Sequence, residues 1–204
     1  MYLISIPTYK RYDMINTHTL EMLKKHKIDY KLIYIFVSNI SEKKKYLEKL
    51  DSKYHNNLII GKKGLKNQRN FINKYFKNNQ NILFIDDDVK DIYQLYNYDK
   101  KNRTLNSKKT LENLNLFILN SFKLLKKNKA YLWGIYPINN PYFMFDRTTY
   151  DLRFIVGPFY GIINRHHKDL ILTIDEKEDT QRTLQYFTLD KSVIRFNNIT
   201  NNPS

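Results

Sequence analysis

Ile82-Leu83-Phe84-Ile85-Asp86-Asp87-Asp88 is the stretch that decides the fold class of this chain of 204 residues. Four apolar residues run directly into three consecutive aspartates. A strand that is covered on both faces has a short, continuous apolar sequence, so we predict that 82–85 is a buried strand of a largely parallel sheet. The aspartates would then lie at the carboxyl end of that sheet, where open α/β folds bind their ligands.

Strand-like and helix-like segments alternate on the amino-terminal side of this stretch. The predicted strands are 2–6, 32–37 and 58–60, and the predicted helices are 14–25, 41–54 and 65–76. This order predicts an α/β fold with a mostly parallel, doubly wound sheet flanked by helices. The second half is less regular: 97–109 resembles a polar loop, 110–127 and 180–189 helices, and 131–136, 153–157, 159–164, 170–174 and 193–196 strands. No linker is visible, so we predict one domain over 1–204.

The three aspartates indicate a cation site. Carboxylate oxygens are the ligands that Mg²⁺ and Mn²⁺ prefer, and such a cation can bridge a diphosphate. The structural alternative is that Asp88 caps a helix beginning at Val89. Since capping needs only one aspartate, the triplet favours a metal–phosphate site.

Composition and charge narrow the class of protein. The net charge of +15 favours a polyanionic partner, although the AT-rich codons that encode Lys, Asn, Ile and Tyr can supply much of the lysine without functional demand. The absence of cysteine excludes disulfides, zinc–thiolate sites and thiol nucleophiles. No apolar run reaches about 18 residues and the N-terminus has no basic segment. We therefore expect no membrane span and no secretion, but a cytoplasmic or nuclear protein.

Three further segments carry polar side chains of chemical interest. Ile6-Pro7-Thr8-Tyr9-Lys10-Arg11 follows the first strand, and Gly61-Lys62-Lys63-Gly64-Leu65-Lys66-Asn67-Gln68-Arg69-Asn70 places a glycine turn before a basic helix, as in anion sites. Taken alone, the second segment favours a solvated helix face. Asp175-Glu176-Lys177-Glu178-Asp179 can supply a general base or simply an acidic helix N-terminus.

Two glycine-containing segments of the second half can line a pocket or form core strands. They are Trp133-Gly134-Ile135-Tyr136-Pro137 and Val156-Gly157-Pro158-Phe159-Tyr160-Gly161. The residues of these segments that we single out as pocket candidates are Trp133, Tyr136 and Gly161, and the two aromatic rings could stack on a planar group.

In this order the motifs resemble a nucleotide-sugar-dependent glycosyltransferase of the GT-A fold, whose acidic metal motif is Asp-x-Asp. More narrowly, the chain resembles the TET/JBP-associated glycosyltransferases, relatives of the base J glucosyltransferase. The narrower resemblance is carried by Arg69-Asn70-Phe71-Ile72, Ile85-Asp86-Asp87-Asp88-Val89, and Glu178-Asp179 followed by Arg195-Phe196-Asn197. It implies a GT-A-like Rossmann-type mixed sheet, with a nucleotide-binding half over 1–96 and an acceptor half over 97–204. It also implies further residues after Arg195-Phe196-Asn197, such as a Gly-rich turn or a metal-ligating histidine.

The resemblance also implies roles for individual residues. The residues that would bind the nucleotide sugar are Pro7, Thr8, Lys10, Arg11, Gln68, Arg69, Asn70, Asp86 and Asp87. Asp88 and Asp86 would hold Mn²⁺ or Mg²⁺ on the diphosphate. Asp179 would be the catalytic base of an inverting enzyme, with Glu178 as the next candidate for that role. Trp133, Tyr136 and Gly161 would contact the acceptor.

The function implied is transfer of a sugar, UDP-glucose being the expected donor, to an acceptor hydroxyl. A hydroxymethylated pyrimidine in DNA is the acceptor that the resemblance suggests, and the basic charge agrees with it. Glycan or protein acceptors remain alternatives. So do a nucleotidyltransferase or nuclease-like enzyme with two metal ions and a non-catalytic nucleic-acid-binding module.

Overall fold

The computed structural model describes residues 1–203, in which ten strands form one mixed sheet with helices on both faces. The strands are β1 (Leu3–Pro7), β2 (Ile33–Val37), β3 (Leu58–Ile60), β4 (Asn81–Ile85), β5 (Val89–Asn97), β6 (Ser107–Thr110), β7 (Leu132–Tyr136), β8 (Thr148–Thr149), β9 (Phe159–Ile163) and β10 (Ile194–Pro203).

Five helices pack on the sheet. Helix α1 consists of three consecutive segments, Tyr12–Ile15, the π-helical Asn16–Leu20 and Glu21–Lys25; the others are α2 (Ile40–Lys49), α3 (Leu65–Tyr75), α4 (Leu114–Lys127) and α5 (Glu178–Asp190). Short 3₁₀ segments are Tyr30–Leu32, Ser52–Asn57, Arg103–Leu105, Pro141–Phe143 and Lys168–Leu170. Within residues 1–203, no helix has the length and apolar character needed to cross a membrane.

The sheet has the order β3-β2-β1-β4-β9-β7-β10-β5-β6, with β8 paired to β10. Strands β1 to β4, β6, β7 and β10 run in one direction, whereas β5, β8 and β9 run in the opposite direction. The predicted α/β class with a mostly parallel sheet is therefore confirmed. Its regular parallel part is the first half of the chain, where β3, β2, β1 and β4 are neighbours.

The apolar run of β4 reflects burial on both faces of the sheet. Leu83 and Ile85 belong to one hydrophobic cluster, which includes Ile118 and Phe122 of α4. Ile82 and Phe84 belong to a second cluster, together with side chains of α3 and α5. Successive side chains of a strand point to opposite faces, so a strand covered by helices on both faces needs an apolar residue at every position.

Several predicted boundaries were wrong. Val89 begins strand β5, so Asp88 does not cap a helix. The N-cap of α2 is Asn39, whose side chain accepts a hydrogen bond from the Glu42 amide, and not Ser41; the helix ends at Lys49. Helix α4 begins after Asn113 rather than at Thr110. The predicted strands 153–157 and 170–174 are not strands, and the predicted loop 97–109 contains a 3₁₀ turn and part of β6.

Candidate functional site

A cleft of about 600 Å³ lies at the carboxyl ends of the four parallel strands. Its lining comprises Pro7, Thr8, Tyr9, Arg11, Ser38, Lys62, Lys63, Gly64, Leu65, Gln68, Asp86, Asp87 and Asp88. Pro7 ends β1, Ser38 follows β2, Lys62 follows β3 and Asp86 follows β4. The topology thus brings together three motifs that are far apart in the sequence, at the edge where parallel sheets bind ligands.

Asp87 is the most buried of the three aspartates and organises the loop after β1. Its carboxylate accepts hydrogen bonds from the Thr8 hydroxyl at 2.5 Å and from Nη1 of Arg11 at 2.9 Å. Burial raises the pKa of Asp87, and the hydrogen bonds from Thr8 and Arg11 oppose that shift. Arg11 also donates to Asp88 at 3.0 Å, so one guanidinium joins two carboxylates of the cleft.

Tyr46 extends this network into helix α2. Its hydroxyl accepts a hydrogen bond from the Arg11 amide at 3.1 Å and lies 2.6 Å from the Thr8 hydroxyl. Since Thr8 donates its only hydroxyl proton to Asp87, Tyr46 must be the donor to Thr8. The chain of bonds therefore runs from the Arg11 amide through Tyr46 and Thr8 to Asp87.

Replacing Tyr46 with phenylalanine should lower the free energy of unfolding by about 1–3 kcal/mol, since the Arg11 amide and the Thr8 oxygen would each lose a partner. Urea unfolding measures the change. Tyr54→Phe is the matched control, because the Tyr54 side chain is also buried but makes no side-chain hydrogen bond within residues 1–203. Equal losses in the two variants would contradict the network.

Glu42 of α2 also fixes the loop that follows β1. Its carboxylate accepts hydrogen bonds from the Lys10 amide at 3.0 Å and from the Tyr12 hydroxyl at 2.8 Å, and the second bond is the main reason why the pKa of Tyr12 rises to about 12. Sequence reasoning missed Glu42 and Tyr46. Their spacing of four residues on α2, which places both on one helix face, was the available signal.

The glycine turn before α3 is held by Gln68. Its Oε1 accepts a hydrogen bond from the Lys62 amide at 2.7 Å. A Cβ atom at Gly61 would lie 2.0 Å from that oxygen, so any other residue would displace the Gln68 side chain from this hydrogen bond. Gly64 has φ +89°, which also favours glycine. The turn places Lys62 and Lys63 in the cleft.

Arg69 is fully buried and joins the two acidic clusters. Its Nη2 donates to Asp86 at 2.6 Å, and its Nε lies 3.9 Å from Glu178. Glu178 in turn lies 3.5 Å from Nη1 of Arg182. Burial opposes the charge of Arg69, but Tyr160 and the two carboxylates outweigh it and raise the pKa of Arg69. The ion-pair chain Asp86–Arg69–Glu178–Arg182 thus connects β4 to the first turns of α5.

The position of Glu178 does not favour the catalytic role that we predicted for it. Its carboxylate is buried between two arginines, so it serves as their counter-ion and is poorly placed to take a proton from an acceptor. Asp179 is half-buried in the first turn of α5, and its Oδ1 accepts a hydrogen bond from the Thr180 amide at 2.8 Å. Asp175 lies 3.2 Å from Nζ of Lys66, beside the glycine turn of the cleft.

Three predicted donor-site residues do not line the cleft: the buried Arg69, Asn70 and Lys10. The side-chain amide of Asn70 donates to the Leu172 carbonyl and accepts from the Leu172 amide, so it fixes the segment before α5. Nζ of Lys10 lies over the ring of Tyr9, and φ of Lys10 is 56°. Asn70 and Lys10 therefore shape the surroundings of the cleft.

The predicted acceptor residues are core residues, and this prediction was wrong. Trp133 is 0% exposed and packs edge-on against Phe117 and Phe122. A Cβ atom on Gly161 would lie 2.2 Å from the indole nitrogen of Trp133, so this glycine makes room for the ring. Tyr136 is also buried. Because β7 and β9 lie inside the sheet, their side chains are covered and cannot stack on a ligand.

The cleft contains few side chains that could ligate a metal ion. Within residues 1–203, no three His, Asp or Glu side chains are grouped as a metal site. Asp86 and Asp88 both line the cleft, and their side chains are 30% and 20% exposed. Two carboxylates fit a Mg²⁺ or Mn²⁺ ion that takes its remaining ligands from a diphosphate and water, which is how such ions are commonly bound.

No protein-family model and no curated protein matches the sequence. Solved structures share the fold at low identity. S. aureus TarS 1–349 in complex with UDP-GlcNAc superposes with a TM-score of 0.62 and 15% identity, over 98% of this chain and 57% of that chain. The complex of TarS 1–349 with UDP superposes with a TM-score of 0.57 and 15% identity, over 98% of this chain and 59% of that chain. An active-site mutant of LgtC superposes with a TM-score of 0.51 and 11% identity, over 94% of this chain and 71% of that chain.

These neighbours are glycosyltransferases of the GT-A fold. At such identities the likeness establishes the fold alone, so the predicted GT-A-like fold is confirmed, whereas membership of the narrower TET/JBP-associated family stays a prediction. The chain spans somewhat more than half the length of the TarS 1–349 chains.

Proposed function

We propose that the cleft binds a UDP-sugar with a divalent cation and that this chain transfers the sugar to an acceptor hydroxyl. One observation carries the proposal: the acidic turn Asp86–Asp88 and a set of basic side chains share one cleft at the ends of four parallel strands. The volume of about 600 Å³ lies within the usual range for small-molecule sites. The UDP and UDP-GlcNAc complexes of the fold neighbour TarS support a uridine nucleotide as the donor.

The basic side chains of the cleft would bind the diphosphate. Lys62 and Lys63 lie in the glycine turn directly before α3, so their charges add to the positive end of that helix. The side chain of Arg11 is 47% exposed and can contact an anion while it remains beside Asp87. Tyr9, 44% exposed at the edge of the cleft, offers a ring face to the nucleobase.

Asp86 and Asp88 would hold Mn²⁺ or Mg²⁺ against the diphosphate. When bound, such an ion stabilises the negative charge that develops on the leaving diphosphate. The protein itself sets the position of both carboxylates: Arg69 holds Asp86, and Arg11 holds Asp88. Asp87 takes no such role because its carboxylate is buried and bonded to Thr8 and Arg11.

Asp179 would act on the acceptor side as the general base of an inverting reaction. Such a base must reach the incoming hydroxyl and take its proton, and an ionised carboxylate can do so. Asp179 is the half-buried acid of the second cluster, and the ion pair of Arg69 with Glu178 ties its helix to the donor half.

For the acceptor we propose a hydroxymethylated pyrimidine in DNA. The net charge of +15 suits a polyanion, and the motif resemblance points to the same class. A base inside a duplex cannot reach a cleft at a sheet edge, so it would be flipped out or presented single-stranded.

Metal-dependent donor binding is tested by Asp88→Ala. In the wild type, UDP at 100 times its Kd with Mn²⁺ should stabilise the fold by about 2.7 kcal/mol in thermal-shift measurements, and EDTA should remove most of this effect. Asp88→Ala should lose the Mn²⁺-dependent part. Asp169→Ala, an exposed acid outside the cleft, should behave like wild type. Equal stabilisation by UDP in Mn²⁺ and in EDTA would refute metal dependence.

Incubation with labelled UDP-glucose or UDP-GlcNAc identifies the acceptor. Hydroxymethylated DNA, unmodified DNA, a glycan panel and a protein extract are offered in parallel with Mn²⁺. Transfer to hydroxymethylated DNA alone supports the proposal, and transfer to glycan or protein alone rejects the DNA acceptor. Incorporation of the nucleotide rather than the sugar would identify a nucleotidyltransferase instead.

A further inference from the structure

A second polar and aromatic surface lies on the acceptor half, outside the donor cleft. We call it the Phe145 surface and define it by six residues: Arg103, Lys108, Tyr142, Phe143, Phe145 and Arg147. It forms where the β5–β6 hairpin meets the loop that follows β7. The Asn106 side chain donates to the Pro141 carbonyl at 3.2 Å, and Lys108 donates to Asn139, so hairpin and loop are held together.

Two cations of this surface lie against one aromatic ring, and two further rings are exposed. The guanidinium of Arg103 lies 4.4 Å from the centre of the Phe145 ring, and that of Arg147 lies 5.4 Å from it. Tyr142 and Phe143 are 45% and 44% exposed, and their rings meet edge-on at 5.0 Å. Exposed aromatic faces flanked by cations are the elements with which proteins bind unpaired nucleotides.

The cations of the Phe145 surface are not neutralised by the protein. In the part of the chain that the structure describes, Arg103, Lys108 and Arg147 have no carboxylate within ion-pair distance, whereas Arg69, Arg165 and Arg182 all do. The nearest acid in sequence, Asp146, accepts a hydrogen bond from Asn198. Three positive charges without an ion-pair partner on one surface favour a polyanionic partner.

The Phe145 surface borders the edge of the sheet that carries the donor cleft. Leu83 of β4 is level with Gly161 of β9, which is level with Trp133 of β7, and β4 and β7 run in the same direction. With a strand spacing of about 4.8 Å, the carboxyl ends of β4 and β7 are roughly 10 Å apart. Tyr136 ends β7, and its ring centre lies 6.4 Å from that of Phe145.

We infer that the Phe145 surface binds single-stranded nucleic acid and leads the strand to the donor cleft. The cations would contact phosphates, and Tyr142 and Phe143 would stack on bases. A single strand fits better than a duplex, because the bases of a duplex are already stacked on one another. The role as an acceptor track rests on the proposed function, but the binding itself requires no donor.

Fluorescence anisotropy with a labelled 12-nucleotide DNA single strand, without nucleotide sugar and at several NaCl concentrations, tests the inference. Arg103→Ala/Arg147→Ala should weaken binding at least tenfold and make the log–log salt slope shallower by about 1.4, since each phosphate contact on a single strand contributes about 0.7. Phe143→Ala should weaken binding about tenfold with an unchanged slope. The matched control Lys44→Ala/Lys123→Ala removes two exposed charges from α2 and α4 and should bind like wild type.

Two results would overturn the inference. One is an equal loss of affinity in the surface variant and the control, which would indicate a general charge effect. The other is displacement of the strand by inorganic polyphosphate as readily as by unlabelled DNA, with Phe143→Ala unaffected, which would indicate an anionic polymer without bases.

Thermal shift with UDP and Mn²⁺ on the same proteins separates the two proposals: loss of DNA binding with intact UDP binding rejects only the surface. Absence of UDP binding with intact DNA binding rejects only the proposed function.

Discussion

Arg69→Met should lower the free energy of unfolding by about 3–5 kcal/mol, the usual cost of removing one partner from a buried ion pair. The substitution leaves Glu178 buried with Arg182 alone and leaves Asp86 without its 2.6 Å contact. For a domain of this size, each kcal/mol lowers Tm by about 2–4 °C, so thermal and urea unfolding both measure the effect.

The structure predicts a second consequence for Arg69→Met, which separates it from an ordinary destabilising variant. Asp86 lines the donor cleft, so losing the residue that holds it should also weaken UDP binding at temperatures where the variant is folded. Arg165→Met is the matched control, because Arg165 forms a two-bond ion pair with Asp190 that has no contact with the cleft. It should lose stability and keep UDP affinity.

A double-variant cycle tests the cause. Glu178→Gln should cost less stability in the Arg69→Met background than in the wild type, because the contact between Arg69 and Glu178 is already lost there, whereas Arg182 loses its counter-ion in both backgrounds. Strictly additive losses, or wild-type stability of Arg69→Met, would show that Arg69 and Glu178 are not coupled.

The parallel half of the fold could be predicted because its signals are local. The apolar run of β4 is continuous since helices cover both faces of the sheet, and the predicted strand 58–60 coincides with β3. The position of Asp86–Asp88 at the ligand edge follows from the order of strands and helices alone. The aspartates and the segment after β1 could therefore be assigned to one edge of the sheet, whereas the segment Gly61–Asn70, taken alone, favoured a solvated helix face.

The contacts within the site could not be predicted, because they depend on long-range packing. Arg69 on α3 and Glu178 on α5 meet only because both helices pack on the same face of the sheet. No local sequence pattern indicates this contact. Trp133 looked available for stacking because a sequence does not reveal whether a strand is central. In the structure β7 lies between β9 and β10, and the rings of Phe117, Phe122, Phe159 and Phe196 pack around the indole of Trp133.

Asp179→Asn should reduce sugar transfer by about 10²–10⁴-fold, the usual loss when a general base is removed. The substitution preserves shape, and the asparagine Oδ1 can still accept the hydrogen bond from the Thr180 amide, so α5 should keep its first turn. Donor affinity should be unchanged, because Asp179 does not line the donor cleft. Release of UDP from UDP-glucose in the presence of hydroxymethylated DNA gives the rate, and thermal shift with UDP and Mn²⁺ gives the binding.

The neighbouring acids make the assignment specific. Glu176→Gln, an exposed member of the same cluster, should transfer sugar at the wild-type rate. Glu178→Gln should lose stability through Arg69 and Arg182 yet retain most of its rate per folded molecule, because that carboxylate faces the two guanidiniums rather than an acceptor. If Glu178→Gln instead abolishes transfer while Asp179→Asn keeps it, the base is Glu178 and the buried ion pair must open during the reaction. A collapse of UDP affinity in Asp179→Asn, with normal transfer per bound donor, would place Asp179 in donor binding.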